Sequence, residues 1–205
     1  MTMARDPVFD RQVFLMLRGA EQEVQRLFVQ RIHQELDRAE MEARPAGWDQ
    51  WIDGKEGAPI ESVSSFGVAV FEFRYMPEII CFALDILFAN SPIDMHPRAD
   101  NIVFREFRQL FVDGVFRDDV SDGMEPSDFA WMLDLPKGTE YLLTDDEPYA
   151  GKLERGFSDQ APNGVYKVSC DTVRRRYGNL VQVQFQWVRS EGAKRGAPAM
   201  MIREL

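Results

Sequence analysis

The chain has 205 residues, 45% hydrophobic and 12% aromatic, which suits one domain, or one domain with an extension, and excludes disorder as the main state. The formal net charge of −10 argues against general nucleic-acid binding, because duplex phosphates would be repelled. Short apolar runs and an N-terminus without an apolar leader predict a protein made in a cytoplasm, with no membrane partner.

The first predicted element is one long helix, residues 10–44. Its apolar side chains recur at steps of mostly three and four and form a single stripe, made of Val13, Leu17, Ala20, Val24, Leu27, Phe28, Ile32, Leu36 and Ala39. A helix of this length reaches about 50 Å, which is longer than a domain of this size is wide. We therefore expect it to pack partly on another chain.

A loop is predicted after this helix. Pro45 and Gly47 end the helix, and residues 45–62 form the loop around Trp48 and Trp51, with a turn at Asp53-Gly54. Residues 1–62 are therefore assigned to the helix and the tryptophan-containing loop, and residues 63–205 to an α+β domain.

The rest of the chain mixes strands and helices. The predicted strands are residues 66–75, a hairpin within 107–116 that turns at Asp113-Gly114, and residues 140–145, 180–188 and 199–203. The predicted helices are residues 77–90, a short helix that ends at Gly156 with Asp145 or Asp146 as its cap, and residues 162–177. The fold class is α+β: a mostly antiparallel sheet, a central core helix over 77–90, further short helices and the long N-terminal helix.

Alternation is clearest in the predicted strand 180–188. Its inward residues are Val181, Val183, Phe185 and Trp187, and its outward residues are Gln182, Gln184 and Gln186. The outward glutamines suit either solvent or a neighbouring subunit.

Patterns for catalysis are weak. The two histidines, His33 and His96, have no second ligand at zinc spacing, and Cys81 and Cys170 are typical of buried thiols rather than nucleophiles. The segment 118–123 has some calcium-loop acids but lacks the other ligands, which favours a solvated acidic turn. The acids of 145–147 could serve as a general acid and base in a small hydrolase, although helix capping explains them without chemistry. No cofactor is expected.

Several short motifs resemble one protein family. They are Glu147-Pro148-Tyr149-Ala150-Gly151-Lys152-Leu153-Glu154-Arg155-Gly156, then Ser158, Ala161-Pro162 and Gly164-Val165-Tyr166; upstream Asn90-Ser91-Pro92-Ile93-Asp94 and Phe111-Val112-Asp113-Gly114; and downstream Arg175-Arg176-Tyr177-Gly178-Asn179. Together they resemble the neck and tail-completion proteins of tailed bacteriophages, the minor tail components of the type that lambda calls Z. The resemblance covers about residues 78–189. It departs from the family at Met95-His96-Pro97-Arg98, where the family usually has Thr-Gly and a basic residue.

The resemblance implies a structural virion protein at the head–tail junction, without a catalytic site. As a tail-completion component it would assemble as a ring with itself and contact other neck and tail proteins, while double-stranded DNA passes through the channel without specific binding. The alternative within the same virion is the tail-terminator ring or another neck ring. A small hydrolase is the enzymatic alternative.

The charge distribution predicts how such a ring is held. Residues 1–150 carry 29 acids and 14 bases, and residues 151–205 carry 5 acids and 10 bases, so opposite signs lie on one chain. A ring of identical subunits joins two different patches, which opposite charges favour. The candidate subunit-interface residues are Arg174, Arg175, Arg176, Lys194, Arg195 and Tyr149. The candidates for an acidic channel or partner face are Asp118, Asp119, Asp122, Asp145 and Asp146.

Overall fold

The computed structural model describes residues 7–93, 108–145, 147, 149–189 and 196–205. The chain divides into two compact units, an N-terminal unit, Met1–Arg74, and a C-terminal unit, Tyr75–Leu205. Both are built from helices and antiparallel strands, so the predicted α+β class is confirmed. Among the described residues, no helical stretch combines the length and apolarity of a transmembrane span.

The N-terminal unit pairs a long helix with a small sheet. Helix α1 spans Pro7–Ala43, and strands β1 (Gly47–Ile52), β2 (Lys55–Glu56) and β3 (Ala69–Arg74) form an antiparallel sheet in the order β2-β1-β3. The predicted long helix is thus confirmed, and it ends where Arg44 takes a φ of 46° before Pro45. The prediction that 45–62 is only a loop is wrong, because β1 and β2 form a hairpin there.

The hairpin turn forms where the sequence predicts it, and the N-terminal unit has a small core of its own. Asp53 and Gly54 form the turn with φ values of 51° and 77°, as predicted. The core is a cluster of five buried side chains: Ile32, Leu36, Ile52, Ile60 and Val63. Ala69, Phe71 and Phe73 pack against it from β3, where they occupy alternate positions of the strand. Since β3 pairs with β1 along its whole length, the division between units falls after Arg74, later than the boundary at 62/63 drawn from the sequence.

The C-terminal unit contains a five-stranded antiparallel sheet in the order β5-β4-β6-β8-β7. Its strands are β4 (Arg108–Val112), β5 (Val115–Val120), β6 (Glu140–Thr144), β7 (Val181–Val188) and β8 (Ala197–Glu204). Its helices are α2 (Met76–Asn90), α3 (Ala150–Leu153), α4 (Tyr166–Tyr177) and a 3₁₀ helix over Pro126–Asp134, which the sequence pattern did not predict.

Helix α2 is the central helix, as predicted. Ile80 and Leu87 are fully buried, because α2 packs against α4 and against the 3₁₀ helix as well as the sheet side chains of the same core. One face of the sheet joins this core through residues such as Leu110, Leu143 and Ile202. Helix α4 begins at Tyr166, four residues later than the predicted start at 162, and runs beside β7.

Candidate functional site

The motif at 147–166 forms a clamp on the N-terminus of α4. The Glu154 carboxylate accepts hydrogen bonds from three successive backbone amides, those of Val165, Tyr166 and Lys167, at 2.8–2.9 Å. These amides have no partner inside the helix, and a carboxylate at a helix N-terminus also complements the helix dipole. The clamp therefore fixes where α4 begins, and its residues are explained by folding.

Two glycines of the same motif are required by this clamp. Gly156 and Gly164 have φ values of 77° and 81°, in the left-handed region. A Cβ on Gly156 would lie 2.4 Å from the Pro162 carbonyl oxygen, and one on Gly164 would lie 2.7 Å from the Glu154 carbonyl oxygen. Neither position accommodates a side chain without moving backbone atoms.

A buried polar network joins another motif to the core. The Arg108 Nη1 lies 3.5 Å from Asp145 Oδ2, and both side chains are at most 5% exposed. Arg108 Nη2 also donates to the Ser91 hydroxyl at 2.6 Å, which in turn donates to the Leu87 carbonyl oxygen at the end of α2. The network anchors the end of α2 to strand β4 and to the residue after β6.

Two predictions for Asp145 are wrong. As a buried partner of Arg108, Asp145 does not contribute to an exposed acidic face. Its Oδ1 accepts the backbone N–H of Glu147, and α3 is preceded by Tyr149 with no side-chain cap, so Asp145 does not cap that helix either. Asp146, Lys194 and Arg195 lie outside the described residues.

The three arginines at the end of α4 differ in their surroundings. Arg174 donates from Nε and Nη2 to the Val183 carbonyl oxygen of β7 and forms an ion pair with Asp171 at 2.7 Å. The Arg176 guanidinium lies 4.4 Å from the centroid of the Phe82 ring. Arg175 is exposed, and among the described residues it forms no ion pair, which makes it the arginine most available to another molecule.

The acidic candidates of β5 lie on an edge strand. Asp118 and Asp119 are exposed there, and Asp122 is half-buried in the following turn. Charged side chains on an edge strand also oppose pairing with further strands, so these acids have a structural explanation as well. They lie at the opposite edge of the sheet from β7, which Arg174 covers.

Two aromatic side chains of the C-terminal unit, Trp187 and Phe157, are exposed. Trp187 is 44% exposed rather than facing in as predicted, and it stacks under the Arg155 guanidinium at 5.4 Å. Phe157 is 77% exposed. Tyr149, by contrast, is half-buried and packs against the core, so the structure places it mainly inside the unit.

A shallow cleft of about 340 Å³ lies between two of the motifs. Asn90, Ser91 and Ile93 form one wall, and residues 160–164 form the other. The Gln160 side chain closes one end by accepting from the Ile93 amide at 2.8 Å and donating to its carbonyl oxygen at 3.2 Å. The cleft thus brings together residues that the family resemblance had grouped only by sequence.

The described residues hold little that favours catalysis. Burial raises the pKa of both Cys81 and Cys170 to about 12, so these thiols stay protonated at neutral pH, which fits the prediction of buried cysteines. Among the described residues, no group of three or more His, Cys, Asp or Glu side chains has the spacing of a metal site. The segment 118–123 is divided between β5 and the turn after it.

The N-terminal unit exposes apolar surface. A groove of about 360 Å³ runs between α1 and β3, with Phe28, Ala39, Phe71 and Phe73 among its lining residues. Further towards the N-terminus of α1, Leu17 is 65% exposed, Val24 45% and Leu27 52%. Surface of this kind is typical of sites where another molecule packs.

Sequence reasoning missed two organising residues, Glu154 and Arg108. Both act across a gap in sequence, from Glu154 to Val165 and from Arg108 to Asp145. A glutamate between two glycines of the motif was the only available signal for the clamp.

Comparison of the chain with models of protein families, with curated proteins and with solved structures found no match in any of the three.

Proposed function

We propose that the chain is a structural virion protein of a tailed phage, part of the head–tail connection, and that it acts as a non-enzymatic tail-completion component in a ring assembly. Its partners would be further copies of itself and other neck and tail proteins, with duplex DNA passing through the channel. It would be made in the host cytoplasm and reside at the head–tail junction of the virion.

The observation that carries this proposal is the convergence of the motifs that resemble the family. Asn90 and Ile93 of one motif line the same shallow cleft as Ala161, Pro162 and Gly164 of another, and Ile93 bonds the neighbouring Gln160. Glu154 binds the start of α4 in the same unit. Motifs that were matched piece by piece in sequence thus belong to one folded unit, as they would if the unit had been inherited as a whole.

The surfaces support a ring held by different patches. Arg175 at the end of α4 and the acids Asp118 and Asp119 on β5 are exposed, carry opposite charges and lie on different elements. Two such patches suit a heterologous contact between identical subunits. The same surfaces would serve a tail-terminator ring or another neck ring, which remains the alternative.

The hydrolase alternative gains no support from Asp145. Asp145 is 5% exposed and is paired with Arg108, a placement that stabilises the fold and separates the carboxylate from any substrate. No described feature favours this function over a structural one.

The test is to remove the gene from the phage that encodes the chain. We expect filled heads and tails that accumulate without joining, and joining restored when purified full-length protein is added. Immunogold labelling of intact virions should place the protein at the junction, with an antibody against the tail tip as the control. A protein absent from purified virions, or virions that join normally without it, would overturn the proposal.

A further inference from the structure

The single apolar stripe expected for helix α1 is wrong, because its apolar residues form two faces and the N-terminal unit buries only one of them. The face with Ile32 and Leu36 is buried in the small core. Gln25 strengthens the same side by donating to the carbonyl oxygens of Val63 and Glu61 at 2.8 and 3.3 Å. This accounts for the intramolecular packing of the helix.

The second face is the α1 seam, which we define as Leu17, Ala20, Val24 and Leu27. At 3.6 residues per turn the seam lies about 120° around the helix from the buried face. All four residues are exposed. The α1 seam is therefore not a continuation of the small core.

The spacing of the α1 seam is that of a coiled coil. Steps of three, four and three residues place Leu17 and Val24 at a positions and Ala20 and Leu27 at d positions of a heptad. The next a position is Arg31, so the apolar seam ends after two heptads. A β-branched residue at a followed by leucine at d, as in Val24 and Leu27, favours parallel two-stranded pairing.

The flanking charges select the direction of pairing. In a parallel pair, each g residue faces the e residue five positions later on the second helix, so Glu23 meets Phe28 and Gln30 meets Glu35 of the second copy. An antiparallel pair that matches the same seam centres on residue 22. It would bring the two Glu21 side chains together and the two Glu23 side chains together, which like-charge repulsion disfavours.

We propose that the α1 seam is a docking surface for α1 of a second copy of this chain, parallel and in register. Two heptads bury little area, so the pairing on its own is weak and depends on protein concentration. The surface belongs to the N-terminal unit and does not depend on the proposed virion function. A positive cross-linking result would still support the seam if the protein proved not to be a virion component. A virion location alone would not support the seam.

The experiment is disulfide cross-linking of the full-length Val24→Cys variant under mild oxidation. In-register parallel helices bring the two Cα atoms of an a position within about 7 Å, which a disulfide can span. The native Cys81 and Cys170 are buried, so the background is low. Gln22→Cys, on the outer side of the same helix, is the matched control. We expect several-fold more linked dimer from Val24→Cys than from Gln22→Cys.

Equal cross-linking of the two variants would overturn the proposal. So would a mixture of Ala20→Cys and Val24→Cys proteins that links only between the two variants, because that result indicates antiparallel pairing. In sedimentation, Leu27→Glu should abolish the association that Gln22→Glu retains, while both keep the wild-type circular dichroism. Association of Leu27→Glu equal to that of the wild type would also contradict the proposal.

Discussion

The two units bury their apolar side chains to very different extents. In the C-terminal unit, α2 has Ile80 and Leu87 fully buried, and the cluster around them extends through the sheet and α4. In the N-terminal unit, α1 leaves Leu17 and Met41 at least 65% exposed, and β3 leaves Val70 49% exposed. The main helix of the C-terminal unit is thus enclosed by its own core, whereas the long helix of the N-terminal unit leaves apolar surface available to a partner.

The polar interactions of the two units also differ in how deeply they are buried. The C-terminal unit encloses the Arg108–Asp145 ion pair, while the N-terminal unit relies on Asp53, an exposed side chain, to hold a loop. Charges inside a unit are shielded from salt and costly to disrupt, and exposed charges are weak and sensitive to the solvent. Mutations should therefore distinguish the units by the size and kind of their effects.

The largest effect is expected from Arg108→Met. The substitution keeps much of the side-chain volume but leaves the buried Asp145 carboxylate without its cation, which should cost about 3–5 kcal/mol of unfolding free energy. Urea denaturation measures this loss. The double variant Arg108→Met/Asp145→Leu is the matched control and should recover part of it. A loss below about 1 kcal/mol for the single variant would mean that the pair does not organise the unit.

The next effect is expected from Glu154→Ala, which removes the acceptor for the three amides at the start of α4. Loss of this clamp should cost about 2–3 kcal/mol, since it combines a helix cap with bonds to a charged group. Glu154→Gln keeps an acceptor oxygen and should fall between the wild type and alanine. Hydrogen exchange should localise the change to the first turn of α4, and unchanged protection there would contradict the clamp.

Periodic elements were predictable from the sequence, whereas elements held by distant contacts were not. The three-and-four spacing of α1 and the apolar run of α2 appear within one short window, so both helices were found. Strand β1, with Trp48, Asp49, Gln50 and Trp51, has no simple alternation, and it is a strand because β3 pairs with it.

The same limit applies to the candidate site. Asp145 looks like a surface acid until Arg108, far away in the sequence, is brought beside it. Trp187 follows the alternation of β7 but lies near the strand end, where it stacks with Arg155 instead of joining the core. The exposure of Asp118, Asp119 and Arg175 agreed with simple charge reasoning, because exposed charges need no specific partner to be placed.

The stability of the N-terminal unit should depend on pH through Asp53. Hydrogen bonds from the backbone amides of Ser64 and Val68 lower the pKa of Asp53 below its usual value. A carboxyl whose folded pKa is lowered contributes stability above its unfolded pKa of about 3.9, and this contribution is lost as the pH falls through the folded pKa. Acidification below pH ~4 should therefore loosen the 64–68 loop.

Protection factors from hydrogen exchange of peptides over 64–68 measure this effect. Asp53→Asn should lower protection at neutral pH and flatten its dependence on pH, while Asp49→Asn, on β1 of the same sheet, serves as the control. Protection at 64–68 that stays constant between neutral and strongly acidic pH in the wild type would contradict the role of Asp53.

The smallest effect is expected from Arg175→Glu. Arg174 and Arg176 have partners within their own unit, so changing them would confuse folding with assembly, whereas Arg175 is exposed at the end of α4. If the ring we propose joins this end to an acidic patch of the next subunit, reversing one exposed charge should weaken each contact by only about 0–1 kcal/mol. Since exposed charges are screened beyond about 10 Å at 0.1 M salt, the change should slow association at low ionic strength and have little effect at high salt. Light scattering across a salt series measures the rate, with Lys55→Glu, an exposed change of the same charge in the N-terminal unit, as the control. Association of Arg175→Glu at the wild-type rate in low salt would place the subunit interface elsewhere on the molecule.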